Sequence, residues 1–174
     1  MTRSRDLADF ADSAANAEGA RPLILSTAQT ASGTSVDFTG IPSWVKRITV
    51  MLNGVSLSGS SSLRFRLGTG GTVATSGYLG TTSNPAGSPT TQTFTAGFDM
   101  YGGLTAPTAA YGAAVFTLIG SNAWVGSVNI ATSLAGFNVI AGTVTLGGAL
   151  DIVRITTING TDTFDAGTIN IMWE

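Results

Sequence analysis

The sequence predicts an all-β protein, an antiparallel β-sandwich that is jelly-roll-like with about eight strands, preceded by a short N-terminal α-helix. Several short runs alternate apolar and polar residues with a period of two, which is typical of strands that face a core on one side. Turn residues recur between these runs at short intervals, which suits a sandwich or a barrel. No helical pattern alternates with the runs, so a parallel doubly wound sheet is not expected.

Residues 1–21 differ from the rest and are predicted to be a helical anchor segment, with residues 22–174 forming the β-sandwich domain. Seven of the 18 charged residues lie in this first segment. Ser4 suits an N-cap, and Gly19 followed by Pro22 suits a helix end. A helix of about four turns is marginal alone in water, so its apolar face is expected to dock on its own domain, on other copies or on a larger assembly. The remaining alternative is a frayed tail. That face consists of Leu7, Phe10, Ala11 and Ala14.

The first clear strand signal is "RITVMLNGVSLSG", in which Ile48, Val50 and Leu52 alternate with polar residues. The pair Asn53-Gly54 then predicts a hairpin turn, because both residues accept a positive φ. The second signal, "SLRFRLGTGG", places Leu63, Phe65 and Leu67 on one strand face, with two arginines on the other.

Later strands are predicted in "AAVFTLIG", "NAWVGSVNIA", "DIVRITTING" and "TINIMWE". In the second of these runs Trp124, Val128 and Ile130 share a face, and in the last Ile169 and Ile171 do so together with a tryptophan.

A stretch rich in Gly, Pro, Ser and Thr, "LGTTSNPAGSPTTQTFTAGFDMYGGLTAPTAAYG", interrupts this pattern. It is predicted to be mostly a long loop, with a short strand near "TQTFTAGF". Long loops in compact domains are often binding elements, and the alternative is a merely mobile surface loop. The candidate contact residues in the loop 84–112 are its aromatic side chains, Phe94, Phe98, Tyr101 and Tyr111.

The composition excludes several classes of chemistry. The chain has no cysteine and no histidine, so it can form no disulfide, no imidazole or thiolate metal site and no Ser-His-Asp triad. Apolar residues make up 43% of the chain and charged residues only 10%, against about 25% charged in typical soluble domains. We therefore expect much of the surface to be covered by copies of the chain or by other proteins. A net charge of −2 gives no basic footprint for nucleic acid, and no apolar run is long enough to span a membrane.

The stretch "NGTDTFDAG" contains two carboxylates, Asp162 and Asp165. A tight turn explains the Asn159-Gly160 pair, with the aspartates bonding backbone amides at the sheet rim. A calcium loop would need more oxygen ligands and a distal Glu, and a glycosidase would need one carboxylate in an apolar pocket. A structural turn is favoured over a metal site or a catalytic pair, and we expect no catalytic residue, no metal and no cofactor.

Two further motifs receive structural interpretations. "LGTGGT" lacks the Gly-Lys-Ser/Thr ending of a phosphate loop and is predicted to be a hairpin loop. Arg64 and Arg66 are expected on an outer strand face, where they could pair with Asp37, with Asp99 or with a neighbouring subunit. The tryptophans are expected in the core or in an interface. The candidate subunit contacts are Arg64, Arg66 and Trp173.

Three phrases, "SVDFTGIPSWVKRITVMLNGVSLSGSSSLRFRLGTGG", "TSGYLG" and "LDIVRITTINGTDTFDAGTINIMWE", together resemble a module of tailed-phage and prophage virion proteins of the tail fibre or tail-associated type. The resemblance runs from about residue 34 to residue 174. It implies an all-β, oligomeric virion structural module and brings no catalytic residue. Because only about 20 residues precede the module, a stubby fibre, a tail-tip piece or a head decoration protein is also expected as an alternative.

The leading expectation is thus a non-enzymatic virion protein, made in the cytoplasm of a bacterial host, that forms a homo-oligomer, most simply a trimer. Its N-terminal segment would bind other virion proteins, and its loop 84–112 could contact a host surface glycan or protein. The alternatives are a capsid decoration protein, a carbohydrate-binding module and a polysaccharide-degrading tail module. Neither nucleic acid binding nor membrane insertion is expected.

Overall fold

The structure is a computed structural model that describes residues 23–85, 90–104 and 108–174. The regular secondary structure of these residues forms two antiparallel sheets. The predicted all-β antiparallel sandwich is confirmed. The predicted helix, with its apolar face, lies outside the described residues.

The described residues form fourteen strands, of which ten have at least five residues. The strands are β1 (Ile24–Leu25), β2 (Gln29–Thr30), β3 (Ser35–Thr39), β4 (Arg47–Leu57), β5 (Leu63–Thr69), β6 (Thr72–Val73), β7 (Leu79–Asn84), β8 (Thr90–Phe94), β9 (Phe98–Asp99), β10 (Ala110–Gly120), β11 (Ala123–Thr132), β12 (Phe137–Thr145), β13 (Ile152–Thr157) and β14 (Phe164–Trp173).

The larger sheet, sheet A, has the order β1-β14-β4-β10-β11-β12-β7-β8, with β2 also paired to β14. The smaller sheet, sheet B, has the order β3-β13-β5-β6, with β9 also paired to β5. The predicted alternation holds on both sheets. On β4, Ile48 and Val50 are fully buried, and on β5 so is Phe65. Burial of each such side chain contributes about 1.5 to 3 kcal/mol, and together the inward faces form one hydrophobic core between the sheets.

The predicted hairpin at Asn53-Gly54 is wrong. Strand β4 continues through both residues, and Gly54 has a φ of +68°. At this point the register of β4 shifts against both β10 and β14, which marks a β-bulge. A bulge and a hairpin turn both require a residue that tolerates positive φ, so the same dipeptide serves either structure.

A row of glycines lies on the inner side of sheet A. Gly126, Gly142 and Gly80 are register partners on β11, β12 and β7, and Phe116 and Phe94 occupy the two ends of the row. A Cβ added at Gly126 would lie 2.5 Å from the Phe98 ring, and one added at Gly142 would lie 2.8 Å from the Phe94 ring. The glycines therefore leave the space in which these rings pack against the sheet.

Tyr78 connects the two sheets within this aromatic cluster. It precedes β7 of sheet A, yet its hydroxyl accepts a hydrogen bond from the backbone N–H of Leu67 on β5 at 2.9 Å. Its ring meets Phe98 edge-on, with the centroids 5.4 Å apart. The side chain is fully buried, and burial raises the pKa of the phenol to about 12.

Candidate interaction surfaces

The loop between β13 and β14 is built as a turn. The side-chain oxygen of Asn159 accepts hydrogen bonds from the backbone N–H groups of Thr161 and Asp162, both at 3.1 Å. Gly160 has a φ of +71°, which glycine adopts without strain. The Asp162 carboxylate accepts from the Ser61 N–H at 2.8 Å and from the Asn159 amide at 2.8 Å, so both of its oxygens fix the loop.

Asp165 does not join Asp162 in a common site. Its carboxylate accepts a hydrogen bond from the Ser56 hydroxyl on β4. Over the three described ranges, no group of three or more Asp, Glu, His or Cys residues is placed to hold a metal ion. The geometry therefore supports the structural interpretation of this stretch.

The "LGTGGT" stretch is a hairpin, as predicted. Thr69 pairs with Thr72, and Gly70 and Gly71 between them have φ values of +62° and +72°. The backbone N–H of Gly71 donates to the Asp151 carboxylate at 3.1 Å, which fastens the hairpin tip to the start of β13.

The outer face of sheet B carries paired charges. Arg64 donates two hydrogen bonds to Asp99, at 2.6 and 2.7 Å, and its side chain is only 12% exposed. This pairing, one of the predicted alternatives, raises the pKa of Arg64. Asp37 instead pairs with Arg154, at 2.7 and 2.6 Å.

Arg66 lies beside these pairs and donates to the Ala96 carbonyl at 2.8 Å. Burial and the neighbouring Arg64 lower its pKa. Arg64 is paired within its own chain, and a contact of Arg64, Arg66 or Trp173 with a neighbouring subunit stays a prediction. Trp173 is half-buried against the core and lines a shallow cavity of about 240 Å³.

Two of the four candidate aromatic contacts are core residues. Phe94 is 4% exposed and Phe98 is fully buried, so the prediction that they contact a host surface is wrong. Both lie in short strands, β8 and β9, and pack on the glycine row. Tyr111 is 44% exposed on β10, and Tyr101 is half-buried, with its backbone N–H donating to Asn138. These two stay predictions.

The tryptophans follow the same pattern. Trp124 is 2% exposed inside the sandwich, as the alternation on β11 predicts. Trp44 and Trp173 are partly buried and pack against the core. None of the three is an exposed platform of the kind that stacks on sugars.

The outer side of sheet A presents a broad surface that sequence reasoning missed. Five neighbouring strands, β10, β11, β12, β7 and β8, contain no Asp, Glu, Lys or Arg. We name their outward side chains the uncharged face. Of the ten large apolar side chains that are exposed among the described residues, six lie on these strands. The six are Leu79, Tyr111, Ile119, Val125, Phe137 and Val139.

The centre of the uncharged face is a register row of small residues. Ser127 on β11 is paired with Ala141 on β12, which is paired with Thr81 on β7, and all three are exposed. Sheet B differs, since its outer face carries Asp37, Arg64, Arg66, Asp99 and Arg154.

The sequence contains a signal for the uncharged face, because residues 100–150 include no Asp, Glu, Lys or Arg. Alternation does not predict β7 and β12 as strands, so it does not bring this stretch together as one surface. On β12 the outward residues Val139 and Ala141 are as apolar as inward residues such as Ile140, so the period of two is hidden.

Searches with this sequence and this fold find no matching protein family, no matching curated protein and no matching solved structure. None of the described residues forms a helix with the length and apolarity needed to cross a bilayer.

Proposed function

We propose that the chain is a non-enzymatic structural protein of a bacteriophage virion, a tail fibre or short appendage. It is made in the cytoplasm of the bacterial host and assembles as a homo-oligomer, most simply a trimer, with a jelly-roll-like body. Its N-terminal segment attaches it to other virion proteins through Leu7, Phe10, Ala11 and Ala14. The motifs of residues 34–174 support this assignment by their resemblance to tail-associated modules.

The uncharged face is the observation that carries the proposal. A soluble domain normally keeps charged side chains on the exposed side of a sheet, and sheet B of this chain does so. Five neighbouring strands without a charge suit lasting contact with protein, because no ionised group has to lose its water on assembly. Virion structural proteins work by such contacts, and no chemical step is needed for that role.

Co-sedimentation of the full chain with phage particles tests the proposal. We expect the wild-type chain to bind, and Phe10→Ala to weaken binding at least tenfold, because it removes the largest apolar side chain of the anchor. Asp9→Ala, on the other side of the predicted helix, is the matched control and should bind normally. A wild-type chain that never sediments with particles contradicts the proposal.

Deletion of residues 1–21 separates the two virion roles. If particles lacking the bound protein adsorb poorly to host cells, the chain acts as a fibre or appendage. If they adsorb normally but break open at a lower temperature, the chain acts as a capsid decoration protein, which stabilises a shell by binding its assembled form.

A further inference from the structure

The uncharged face approaches the size of a stable interface. Its five strands contain about 40 residues, and each residue of a sheet covers roughly 16 Å², given strand spacings near 4.8 Å and a rise near 3.3 Å. The flat projection is therefore about 650 Å², and the corrugated accessible area is larger. Stable protein interfaces bury about 800 Å² on each partner, so this single surface approaches the area required.

The side chains of the face suit close packing against another sheet. Apolar side chains such as Val125 and Val139 stand beside small ones such as Ala141, which gives ridges and hollows. Ser127 and Thr81 add hydroxyl groups, which can both donate and accept hydrogen bonds across an interface. Homodimer interfaces are more apolar than ordinary surface and depleted in charge, and this face has that composition.

The absence of charge on the uncharged face identifies the partner that fits it. A partner with charged groups would have to remove their water against a surface that offers no opposite charge, which is unfavourable. The outer face of sheet B is therefore a poor match, and so is the part of sheet A that carries Arg47 and Asp165. The same uncharged face on another copy of the chain matches in area and composition.

We propose that sister copies of this chain meet through the uncharged face, formed by β10, β11, β12, β7 and β8. The inference rests on the proposed function, of which it names the partner and the contact surface. It assigns the subunit contact to sheet A rather than to the arginine face of sheet B. Because a face that meets the same face of another copy forms a two-fold pair, this contact favours a dimer over the trimer expected from the sequence.

A charge placed on the face tests this assignment. Ser127→Glu and Thr81→Glu each introduce a carboxylate at an exposed strand position, where an isolated molecule tolerates it. Thr39→Glu makes the same change at an exposed strand position of sheet B and is the matched control. Light scattering over a range of concentrations should give an oligomer for the wild type and Thr39→Glu, and self-association at least 100-fold weaker for the two sheet A variants.

The absence of cysteine allows an independent measurement. Ser127→Cys and Thr39→Cys each introduce the only thiol of the chain. In the assembled protein, a maleimide should label position 127 at least tenfold more slowly than position 39, and dilution to the monomer should remove the difference. Circular dichroism checks that each variant is folded. A monomeric wild type, equal masses for Ser127→Glu and Thr39→Glu, or equal labelling in the oligomer would each overturn the assignment.

Failure of this inference can be told apart from failure of the proposed function. If Ser127→Glu stays oligomeric while the wild type still sediments with particles, the contact surface is wrong and the virion role stands. If Ser127→Glu dissociates the oligomer but the wild type never sediments with particles, the surface is right and the virion role is wrong.

Discussion

Gly142→Ala should destabilise the protein, although alanine is normally the better residue in a strand. The new Cβ would lie 2.6 Å from the Leu79 carbonyl oxygen, 2.8 Å from the Phe94 ring and 2.9 Å from the Gly80 Cα. Two of these three atoms belong to the backbone of β7, which is held to β12 by a continuous ladder. Relief of the overlap therefore has to separate two paired strands or displace a buried ring.

The expected loss follows from two opposing effects. Overpacking of a tight core site costs about 1 to 3 kcal/mol, and we take about 3 because backbone has to move. Replacement of a strand glycine by alanine returns about 1 kcal/mol. The net loss of about 2 kcal/mol should lower Tm by about 4 to 8 °C for a chain of this size and the urea midpoint by about 1 M.

Gly147→Ala is the matched control for Gly142→Ala, because a Cβ at Gly147 meets nothing within 4 Å and the backbone there is not left-handed. Its Tm should equal or slightly exceed that of the wild type. Both variants are compared by thermal and urea unfolding at one protein concentration. A Tm for Gly142→Ala within about 2 °C of the control would refute the argument that the glycine row exists to admit the aromatic rings.

Three further predictions concern pH, buried charge and the acidic turn. Tyr78 titrates near pH 10 when unfolded and near pH 12 when folded. Its contribution to stability is therefore complete below pH 10 and is lost as pH rises towards 12. Urea unfolding across this window should show the loss of stability, and Tyr78→Phe should make that loss smaller. Asp99→Asn should lower the unfolding free energy by about 3 kcal/mol, because Arg64 stays charged and little exposed. Glu174→Gln, which removes a charge from an exposed ion pair, should lower the unfolding free energy by less than about 1 kcal/mol. Equal urea midpoints for the two variants would contradict this reasoning. Asp162→Asn should cost about 1 kcal/mol in urea unfolding through lost turn hydrogen bonds, and neither it nor the wild type should release sugar from host polysaccharide; release by the wild type alone would contradict the non-enzymatic proposal.

Alternation located strands wherever the two faces of a strand differ in polarity. On β5 the arginines at 64 and 66 separate Leu63, Phe65 and Leu67, and the structure buries all three apolar residues. On β12 both faces are largely apolar, so no period of two is visible and the strand was missed. Periodicity reports a contrast between two environments, and it fails where both sides of a sheet lack charge.

Contacts between residues far apart in the sequence explain the two other wrong predictions, which are the hairpin turn and the exposed phenylalanines. The Asn53-Gly54 signal correctly predicted a positive φ, but only the register shifts of β4 against β10 and β14 make the site a bulge instead of a turn. Phe94 and Phe98 lie among loop-forming residues, and the glycines that receive their rings are on β7, β11 and β12. Local sequence carries no information about which distant residues leave such space.

The uncharged face and the glycine row belong to the same five strands, and together they account for the scarcity of charge in the chain. The inner side needs glycine and aromatic residues to fill the core, which leaves only the outer side for solubilising groups. Sheet B shows that this chain can place arginine and aspartate on outward strand positions. Sheet propensities span only about 1 kcal/mol, so a lysine or glutamate at Ser127 or Thr81 would cost an isolated molecule little.

The β8 edge of sheet A also favours contact with another chain. In the described part of sheet A, β8 pairs on one side only, with β7, and most of its residues are exposed. Monomeric proteins usually protect such an edge with charged side chains, because an open strand invites other chains to pair with it. Strand β8 has no charged residue, which would be a liability for an isolated molecule. The liability disappears only if assembly also covers the edge of β8, which borders the uncharged face, and not the outer side of the sheet alone.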